Sequence, residues 1–250
     1  MVEPLFHFEG SASVVAGQVV TLYGSEGKHA ASVRRMRVGE SIQLSDGRGF
    51  RARGRVSAVQ HASLEVQVET VVNEGVPKPS ITLVQALAKG DRDEQAVQAC
   101  TEAGVAAVMP WQAEHSVSRW DATKAPKQVA RWSTITTEAA KQSLRSWFPE
   151  VSNPVTSAQL VKTFGGFDLV LVLEPTAARG ISQVLADRFS AKPTQKVALV
   201  IGPEGGISPR ELADFEAAGA VLVRLGAEVL RTSTAGVAAV ALIQSFAGNW

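Results

Sequence analysis

The sequence has few of the residues that covalent frameworks and metal sites require. Cys100 is the only cysteine in the 250-residue chain, so a disulfide framework and a thiolate metal site are excluded. The four histidines, at positions 7, 29, 61 and 115, are far apart in the sequence and show no metal-ligand spacing. The sequence therefore predicts a protein that holds no metal.

Long apolar runs are also missing. No run reaches the roughly 18 residues that cross a bilayer, and Met1-Val2-Glu3-Pro4 lacks the basic start and apolar core of a signal peptide. The composition, with 45% hydrophobic and 20% charged residues, is typical of a globular protein with a proper core. A cytoplasmic location is therefore expected.

The net charge is only +1, so overall charge does not attract the chain to nucleic acid. The distribution of charge is more informative. All eight basic side chains of the first 75 residues lie between positions 28 and 55, where only Glu40 and Asp46 offset them. A clustered basic face is the footprint of phosphate binding, although a solvated strand face with scattered ion pairs would give the same pattern.

The chain divides into three segments. Residues 1–74 contain short β-prone runs and a hairpin signal at Asp46-Gly47-Arg48-Gly49, which predicts a small β-barrel domain. Residues 75–79 contain one glycine and two prolines and are interpreted as a linker. In residues 80–250, continuous apolar strands alternate with helices, a pattern that predicts an α/β domain with a parallel sheet covered on both faces.

Within the α/β domain, two helices have clear predicted limits. Asp91 is the expected N-cap of a helix, with Glu94 three residues later. A longer helix is expected from Pro126 to about Ser146.

A glycine loop near the C-terminus separates a buried strand, residues 197–201, from a helix. The loop reads Gly202-Pro203-Glu204-Gly205-Gly206, and the helix start carries Ser208, Pro209 and Glu211, which together form an S-x-x-E capping box with proline at the first helical position. The sequence thus predicts a strand, a tight loop and a helix N-terminus that lets a ligand approach the backbone.

A second unusual loop spans residues 225–235 and also follows a short strand and precedes a helix. The two loops together expose glycine backbone beside the apolar side chains of Leu225, Val229 and Leu230. Such a pocket suits a flat heterocycle that is read on its edges. We expect the glycines because side chains would fill the ligand's space, although a turn that simply needs glycine is the alternative.

Several familiar nucleotide and hydrolase motifs are missing. The chain has no G-x-G-x-x-G after its first α/β strand, no G-x-x-x-x-G-K-[ST] and no G-x-S-x-G elbow. These absences argue against three functions: a nicotinamide-dependent dehydrogenase, a nucleoside triphosphatase and a serine hydrolase.

The two loops resemble the C-terminal signature of SPOUT-class RNA methyltransferases of the RsmE type. The matching residues are Gly202-Pro203-Glu204-Gly205-Gly206 and Leu225-Gly226-x-x-Val229-Leu230-Arg231-Thr232-x-Thr234-Ala235. Further segments resemble the same family, so the match covers essentially the whole chain: residues 29–40, 85–92, 101–105 and 138–143. Three positions depart from the family pattern: Ala88, Leu144, where a small residue is frequent, and Ser233, where many relatives carry glutamate.

The resemblance implies a PUA-like β-barrel followed by an α/β domain whose C-terminus threads a trefoil knot, and it implies a homodimer. The implied activity is methylation of N3 of a specific uridine in 16S ribosomal RNA or the small ribosomal subunit, with S-adenosylmethionine as cofactor. By motif position, the residues implied to contact the cofactor are Leu173, Ile201, Gly202, Glu204, Gly205, Leu225, Gly226, Val229, Leu230 and Thr232.

Uracil N3 carries a proton at neutral pH and must lose it before it is methylated. Arg231, beside the cofactor loop, is expected to stabilise the charge on O2 or O4 of the uracil, although an arginine here also suits a structural ion pair. Glu204 is a weaker candidate for the base. The expected RNA contacts are Arg34, Arg35, Arg37, Arg51, Arg53, Lys89, Arg92 and Arg145.

Two other functions stay open at this point. The same knotted fold serves ribose 2′-O-methyltransferases that act on ribosomal or transfer RNA. A non-catalytic RNA-binding assembly factor would use the β-barrel and keep a vestigial knot, but the intact glycines of both loops argue against it.

Overall fold

The computed structural model describes residues 3–10, 13–191 and 194–250, so the first two residues of the N-terminal segment considered above lie outside the described residues. The chain forms two compact units. One comprises Met1–Val76 with Ala140–Phe148, and the other comprises Pro77–Ala139 with Pro149–Trp250. No helix among the described residues is long and apolar enough to cross a membrane.

The N-terminal unit contains a five-stranded sheet in the order β1-β3-β4-β5-β2. Its elements are β1 (Leu5–His7), β2 (Val19–Leu22), α1 (Gly24–Lys28), β3 (Ser41–Ser45), β4 (Phe50–Val59) and β5 (Leu64–Asn73). The predicted hairpin signal at residues 46–49 joins β3 to β4, which pair antiparallel. Alternating side chains of β4 and β5 face a core that includes Phe6, Leu22, Ile42, Leu44 and Leu64.

Helix α1 continues into a π-helical turn, His29–Val33. The helical segment therefore ends at Val33. Residues 34–39 instead form a loop that Met36 anchors, since its side chain is only 5% exposed and packs in the core of this unit. The neighbouring arginines are left on the surface.

The segment Ala140–Phe148 packs within the N-terminal unit, although the sequence-based boundaries put it in the C-terminal domain. Hydrogen bonds from Arg51 of β4 help to hold this segment in the N-terminal unit. Its guanidinium donates to Glu74 Oε1 at 2.7 Å, to Gln43 Oε1 at 2.8 Å and to the carbonyl oxygen of Leu144 at 2.8 Å. A linear motif could not show this contact, because about 90 residues separate its two sides.

Leu144 also sets the end of helix α3 (Ala125–Gln142), which stops short of the predicted Ser146. Its φ of 57° lies in the left-handed region that follows many helix C-termini and favours glycine. In the family that the sequence resembles a small residue is frequent at this position, so the departure noted above places a bulky residue in a conformation that costs about 1 kcal/mol or more.

The second unit is built on a parallel sheet in the order β12-β10-β11-β6-β7-β8, with β9 also paired to β7. Its strands are β6 (Ser80–Ala86), β7 (Ala107–Gln112), β8 (Glu150–Val151), β9 (Val155–Thr156), β10 (Leu169–Leu173), β11 (Lys196–Ile201) and β12 (Val221–Val223). Its helices besides α3 are α2 (Arg92–Glu102), α4 (Ser157–Thr163), α5 (Ile181–Ala191), α6 (Pro209–Ala217) and α7 (Thr232–Phe246). The predicted α/β class is confirmed.

The central strands bury both faces, which is why they read as continuous apolar runs. On β11, Leu199 faces a cluster that includes residues of α2, α5 and α7, whereas Val200 faces a cluster that includes residues of α4 and α6. Helix α7 lies close to α2 because Gly236 has no side chain: a Cβ there would lie 2.9 Å from Cys100 Sγ.

The predicted N-cap of α2 is wrong in its chemistry. Asp91 has a left-handed φ of 59° and its side chain caps nothing. Asp93, two residues later, accepts hydrogen bonds from the amides of Ala88 and Glu94 instead. The capping-box spacing D-x-x-E was present, but the left-handed turn rotates Asp91 away from the helix.

Candidate cofactor and RNA site

Three loops meet at the carboxyl ends of the neighbouring strands β10, β11 and β12, where ligands of α/β sheets commonly bind. They enclose a cavity of 610 Å³, within the range of about 300–1,000 Å³ that is usual for ligand sites. Loop A, residues 202–208, leads from β11 to α6. Loop B, residues 224–231, leads from β12 to α7, and the third loop begins at Glu174 after β10.

All residues that the resemblance assigned to the cofactor line this one cavity, although they come from three separate loops. They are Leu173, Ile201, Gly202, Glu204, Gly205, Leu225, Gly226, Val229, Leu230 and Thr232, and Arg231 lies among them. The structure therefore brings the predicted set together.

The main chain of loop B is unusually exposed to the cavity. Across Leu225–Leu230, no N–H or C=O group forms a hydrogen bond with another described residue. Residues 226–230 are exposed, so water pairs with these groups when no ligand is bound. Five of the six residues, all except Ala227, line the cavity and can offer backbone donors and acceptors to a ligand there.

The end of loop B nearest β12 is fixed by Arg224. Its guanidinium donates to the carbonyl oxygens of Ala177, at 2.6 Å, and of Ala178. The Arg224 amide donates to the carbonyl of Arg179, and its carbonyl accepts from Ile181. The third loop therefore supports loop B without using the main chain of Leu225–Leu230.

The other end of loop B is fixed by Thr232, which is buried. Its hydroxyl donates to the carbonyl oxygen of Gly202 at 2.9 Å and accepts from Gln85 Nε2 at 2.9 Å. Gln85 lies at the end of β6 and is fully buried. One hydroxyl thus ties loop B, loop A and the central strand together and occupies one of the two acceptor positions of the Gly202 carbonyl.

Loop A is held by the predicted capping box of α6, which is confirmed: Ser208 Oγ accepts from the Glu211 amide and Glu211 accepts from the Ser208 amide. Glu211 is buried and has further partners. Its Oε1 accepts from Ser157 Oγ at 2.5 Å and from the Glu114 amide at 2.9 Å. The base of loop A is therefore rigidly held.

Internal packing and backbone shape give several glycines of the two loops a reason to be glycine. A Cβ on Gly202 would lie 2.7 Å from the Ile207 side chain, and one on Gly205 would lie 3.1 Å from His115 Cβ. Gly206 has a φ of +75°, which side chains disfavour. Only at Gly226 is the nearest contact ordinary, at 3.6 Å from Glu228. The expectation that these glycines leave space for a ligand stays a prediction, and internal packing is a second reason for glycine at positions 202 and 205.

Glu204 is not poised to accept a proton. Its Oε1 accepts from Arg92 Nη1 at 2.9 Å and from the Lys89 amide at 3.2 Å. Burial raises the pKa of the Glu204 carboxyl, but hydrogen bonds from its own amide, from Lys89 and from Arg92 lower it by more, so the net pKa lies below its usual value. A carboxyl with a lowered pKa is a weak base.

Arg231 has the opposite environment. Its side chain is exposed, and it forms no hydrogen bond or ion pair with any residue that the structure describes. Its backbone carbonyl caps α7 by accepting from the amides of Thr234 and Ala235. The guanidinium is therefore available to a ligand.

Four charged residues of the cavity lining were not predicted as cofactor or catalytic residues: Arg92, which the sequence assigned to RNA, and Glu174, Arg224 and Glu228. Glu174 and Arg224 directly follow β10 and β12. The rule that ligands bind at the carboxyl ends of parallel strands would have indicated both of them.

The predicted RNA contacts separate into two groups. Arg34, Arg35 and Arg37 are exposed on the loop after the π-helical turn, and their guanidiniums pair with no described residue. Arg51 is only 15% exposed and is committed to three acceptors, which speaks against an RNA contact. The side chain of Arg53 is 58% exposed, and its Nε lies 4.0 Å from Glu3 Oε2.

Two further predicted RNA contacts lie outside that loop. Lys89 is exposed in the turn before α2. Arg145 is half-buried, and burial lowers the pKa of its guanidinium to about 10, so it remains charged at neutral pH. Within the described part of the chain, no group of three histidine, cysteine, aspartate or glutamate residues could hold a metal ion.

Comparison with known families and proteins agrees with this geometry. A family model described as an RNA methyltransferase domain matches residues 76–244, and one described as an RNA methyltransferase PUA domain matches residues 22–69. A protein of Mycobacterium bovis named ribosomal RNA small subunit methyltransferase E is 39% identical over 238 residues, which cover 94% of this chain and 89% of the relative. The chain belongs to the ribosomal RNA small subunit methyltransferase E family.

Other members of the methyltransferase E family are similar over nearly the full length. The Bacillus subtilis protein is 32% identical and the match covers 89% of this chain and 88% of that one. The crystal structure of the Neisseria gonorrhoeae protein, bound to S-adenosyl methionine, has a TM-score of 0.85 at 28% identity, covering 98% of both chains. A putative methyltransferase from Legionella pneumophila in complex with the same cofactor has a TM-score of 0.83 at 29% identity, with the same coverage.

In this methyltransferase E family member, the Thr232 hydroxyl should be required for stability. We expect Thr232→Val to lower the free energy of unfolding by about 1–3 kcal/mol, because the Gly202 carbonyl loses its donor and Gln85 Nε2 keeps only its bond to the Ala86 carbonyl. Urea unfolding measures this. Thr232→Ser keeps the hydroxyl and should be close to the wild type, as should Thr234→Val on the exposed side of the same helix turn. Equal stability of the valine and serine variants at position 232 would contradict the assignment.

Proposed function

We propose that this chain transfers the methyl group of S-adenosylmethionine to N3 of a specific uridine in the RNA of the small ribosomal subunit. The observation that carries the proposal is the cavity in which all the predicted cofactor residues meet, and whose loop B leaves the main chain of Leu225–Leu230 unpaired. An RNA substrate of this kind puts the reaction in the cytoplasm.

The residues present fit this cofactor. The unpaired amides and carbonyls of loop B suit the hydrogen-bonding edge of adenine, and Leu173, Ile201 and Leu225 supply apolar walls for a flat ring. Arg224 and Glu228 also line the cavity and match the carboxylate and ammonium of an amino-acid group. When bound, the cofactor supplies a methyl group on a positively charged sulfur, which is a strong electrophile.

The chain's own contribution is to position the base and to stabilise charge. Uracil N3 is on the pairing edge, so the target must be unpaired or flipped out of a helix. When N3 loses its proton, negative charge spreads to O2 and O4. Arg231 lines the cavity with an uncommitted guanidinium, so it can stabilise that charge without first breaking an internal contact.

The proposal includes the trefoil knot and the homodimer that the resemblance implies. After β11 the chain passes β10 to add β12 at the edge of the sheet, and α7 then returns to pack against α2. This path supports a knot. Exposed apolar side chains near the C-terminus, Phe246 at 38% and Trp250 at 65%, support a partner surface.

The direct test is methyl transfer to small ribosomal subunits purified from a strain in which this gene is deleted. After incubation with labelled cofactor, we expect one labelled uridine, with the methyl group on N3 by mass spectrometry of nucleosides. A methyl group on ribose would contradict the proposed chemistry. No transfer to naked RNA or to subunits would contradict the activity altogether.

In the same assay, Arg231→Ala should lower the rate of single turnovers by roughly 10²–10³, the usual cost of removing one preorganised donor. Its affinity for S-adenosylhomocysteine, measured by calorimetry, should change little, because the main chain of loop B remains. Arg179→Ala, another exposed arginine of this unit, is the matched control. A near-normal rate for Arg231→Ala would exclude the proposed role.

The exposed arginine loop of the N-terminal unit should bind phosphate. We expect Arg34→Glu with Arg35→Glu to weaken RNA binding and to reduce the slope of log K against log salt by about 1.4, at about 0.7 for each single-strand phosphate contact. Cofactor affinity should not change. The control is Arg179→Glu with Arg210→Glu, which makes the same charge change on the other unit and should leave the salt slope unchanged. An unaltered salt slope in the first pair would exclude the contact.

A further inference from the structure

The turn before α2 is held from two sides. Asp93 Oδ2 accepts from the Ala88 amide at 3.0 Å, and Glu204 Oε1 accepts from the next amide, that of Lys89, at 3.2 Å. The two carboxylates come from different elements, since Asp93 is in the first turn of α2 and Glu204 is in loop A. Consecutive amides of one turn are thus fixed independently.

The turn is also conformationally unusual. Gly90 has a φ of +67° and Asp91 has a φ of +59°, so two consecutive residues are left-handed and one of them is not glycine. Such backbone persists only where the surrounding contacts over-determine it, and it is concentrated at functional sites. The residue that this turn delivers to the cavity is Arg92.

The side chain of Arg92 lines the cavity and is held there by Glu204. Its Nη1 donates to the same Glu204 Oε1 that receives the Lys89 amide, at 2.9 Å, and both side chains line the cavity. A guanidinium has five N–H donors, and no further described residue accepts one from Arg92. Its side chain is 43% exposed. Glu204 therefore fixes Arg92 but leaves most of its donors to a ligand.

We propose that Arg92 donates a hydrogen bond to an oxygen of the target uracil and that Glu204 is the positioning residue that holds it there. This inference rests on the proposed function and deepens it. Donors that are fixed in advance stabilise developing charge without reorganising at the moment of reaction. The planar fork of a guanidinium also sets direction, which lysine could not do.

The pairing with Glu204 argues for a base contact over a phosphate contact. A guanidinium beside a carboxylate carries little net charge, so it attracts a distant phosphate weakly. It retains directional N–H donors at short range. Arg92 should therefore affect the rate of methylation more than the salt dependence of RNA binding.

The test compares Glu204→Gln, Glu204→Ala, Arg92→Gln and the double variant Glu204→Ala with Arg92→Gln. The glutamine oxygen at position 204 still accepts from Arg92 and the Lys89 amide, so Glu204→Gln should stay within about tenfold of the wild-type single-turnover rate on deleted-strain subunits. Arg92→Gln and Glu204→Ala should each lose roughly 10- to 100-fold, as expected for a hydrogen bond to a charged group. The double variant should be no slower than the worse single variant, because both remove one contact.

Three readouts accompany the rates. S-adenosylhomocysteine affinity by calorimetry and the unfolding midpoint should be unchanged within about threefold and a few degrees in Arg92→Gln, which separates the proposal from a folding defect. Equilibrium binding of deleted-strain subunits should weaken without a change in salt slope. Arg210→Gln, an 85% exposed arginine outside the cavity lining, is the matched control.

A loss of roughly 10²–10⁴ in Glu204→Gln, equal to that in Glu204→Ala, would overturn the proposal, because it would identify the carboxylate as a proton acceptor. A reduction of the salt slope by about one in Arg92→Gln would instead assign Arg92 to a phosphate. Normal rates in all variants would exclude both roles. Failure of the wild type to methylate is a different result and concerns the proposed function, while the subunit-binding comparison still tests Arg92.

Discussion

The site depends on a stretch of main chain that the protein does not pair with itself. Leu225–Leu230 forms main-chain hydrogen bonds to no described residue, and residues 226–230 are exposed, so a ligand can replace water on their amides and carbonyls. Both ends of the stretch are fixed, by Arg224 on one side and Thr232 on the other. Loop A, the end of β6 and the loop after β10 are arranged around that requirement.

The charged side chains of the cavity have distinct tasks that their contacts define. Glu204 and Arg92 hold each other and the turn before α2. Arg224 supports the neighbouring loop through two carbonyl oxygens. Arg231 has no internal partner among the described residues. In the proposed reaction the proton on uracil N3 must still leave, and the lowered pKa of the Glu204 carboxyl disfavours Glu204 as its acceptor.

The sequence was informative wherever the determining contacts are local. Apolar runs predicted the parallel strands, and the Ser208–Glu211 spacing predicted a capping box that the structure contains. It was less informative where contacts between distant residues decide. The sequence suggested Arg51 as an RNA contact because it could not show that this guanidinium donates to Leu144, 93 positions away. It suggested Asp91 as a side-chain cap because it could not show the left-handed φ of Asp91 in the turn that Glu204 holds. The link between Gln85 and Thr232, 147 residues apart, has no sequence signal at all.

Amide hydrogen exchange tests most directly whether the main chain of loop B holds the cofactor. In the free protein, the amides of Leu225–Leu230 should exchange quickly, since no described residue accepts from them. Saturation with S-adenosylhomocysteine should slow several of these amides strongly and leave those of β4 and β5 in the N-terminal unit unchanged. Unaltered exchange across Leu225–Leu230 in the saturated protein, with calorimetry showing that the ligand is bound, would contradict the account.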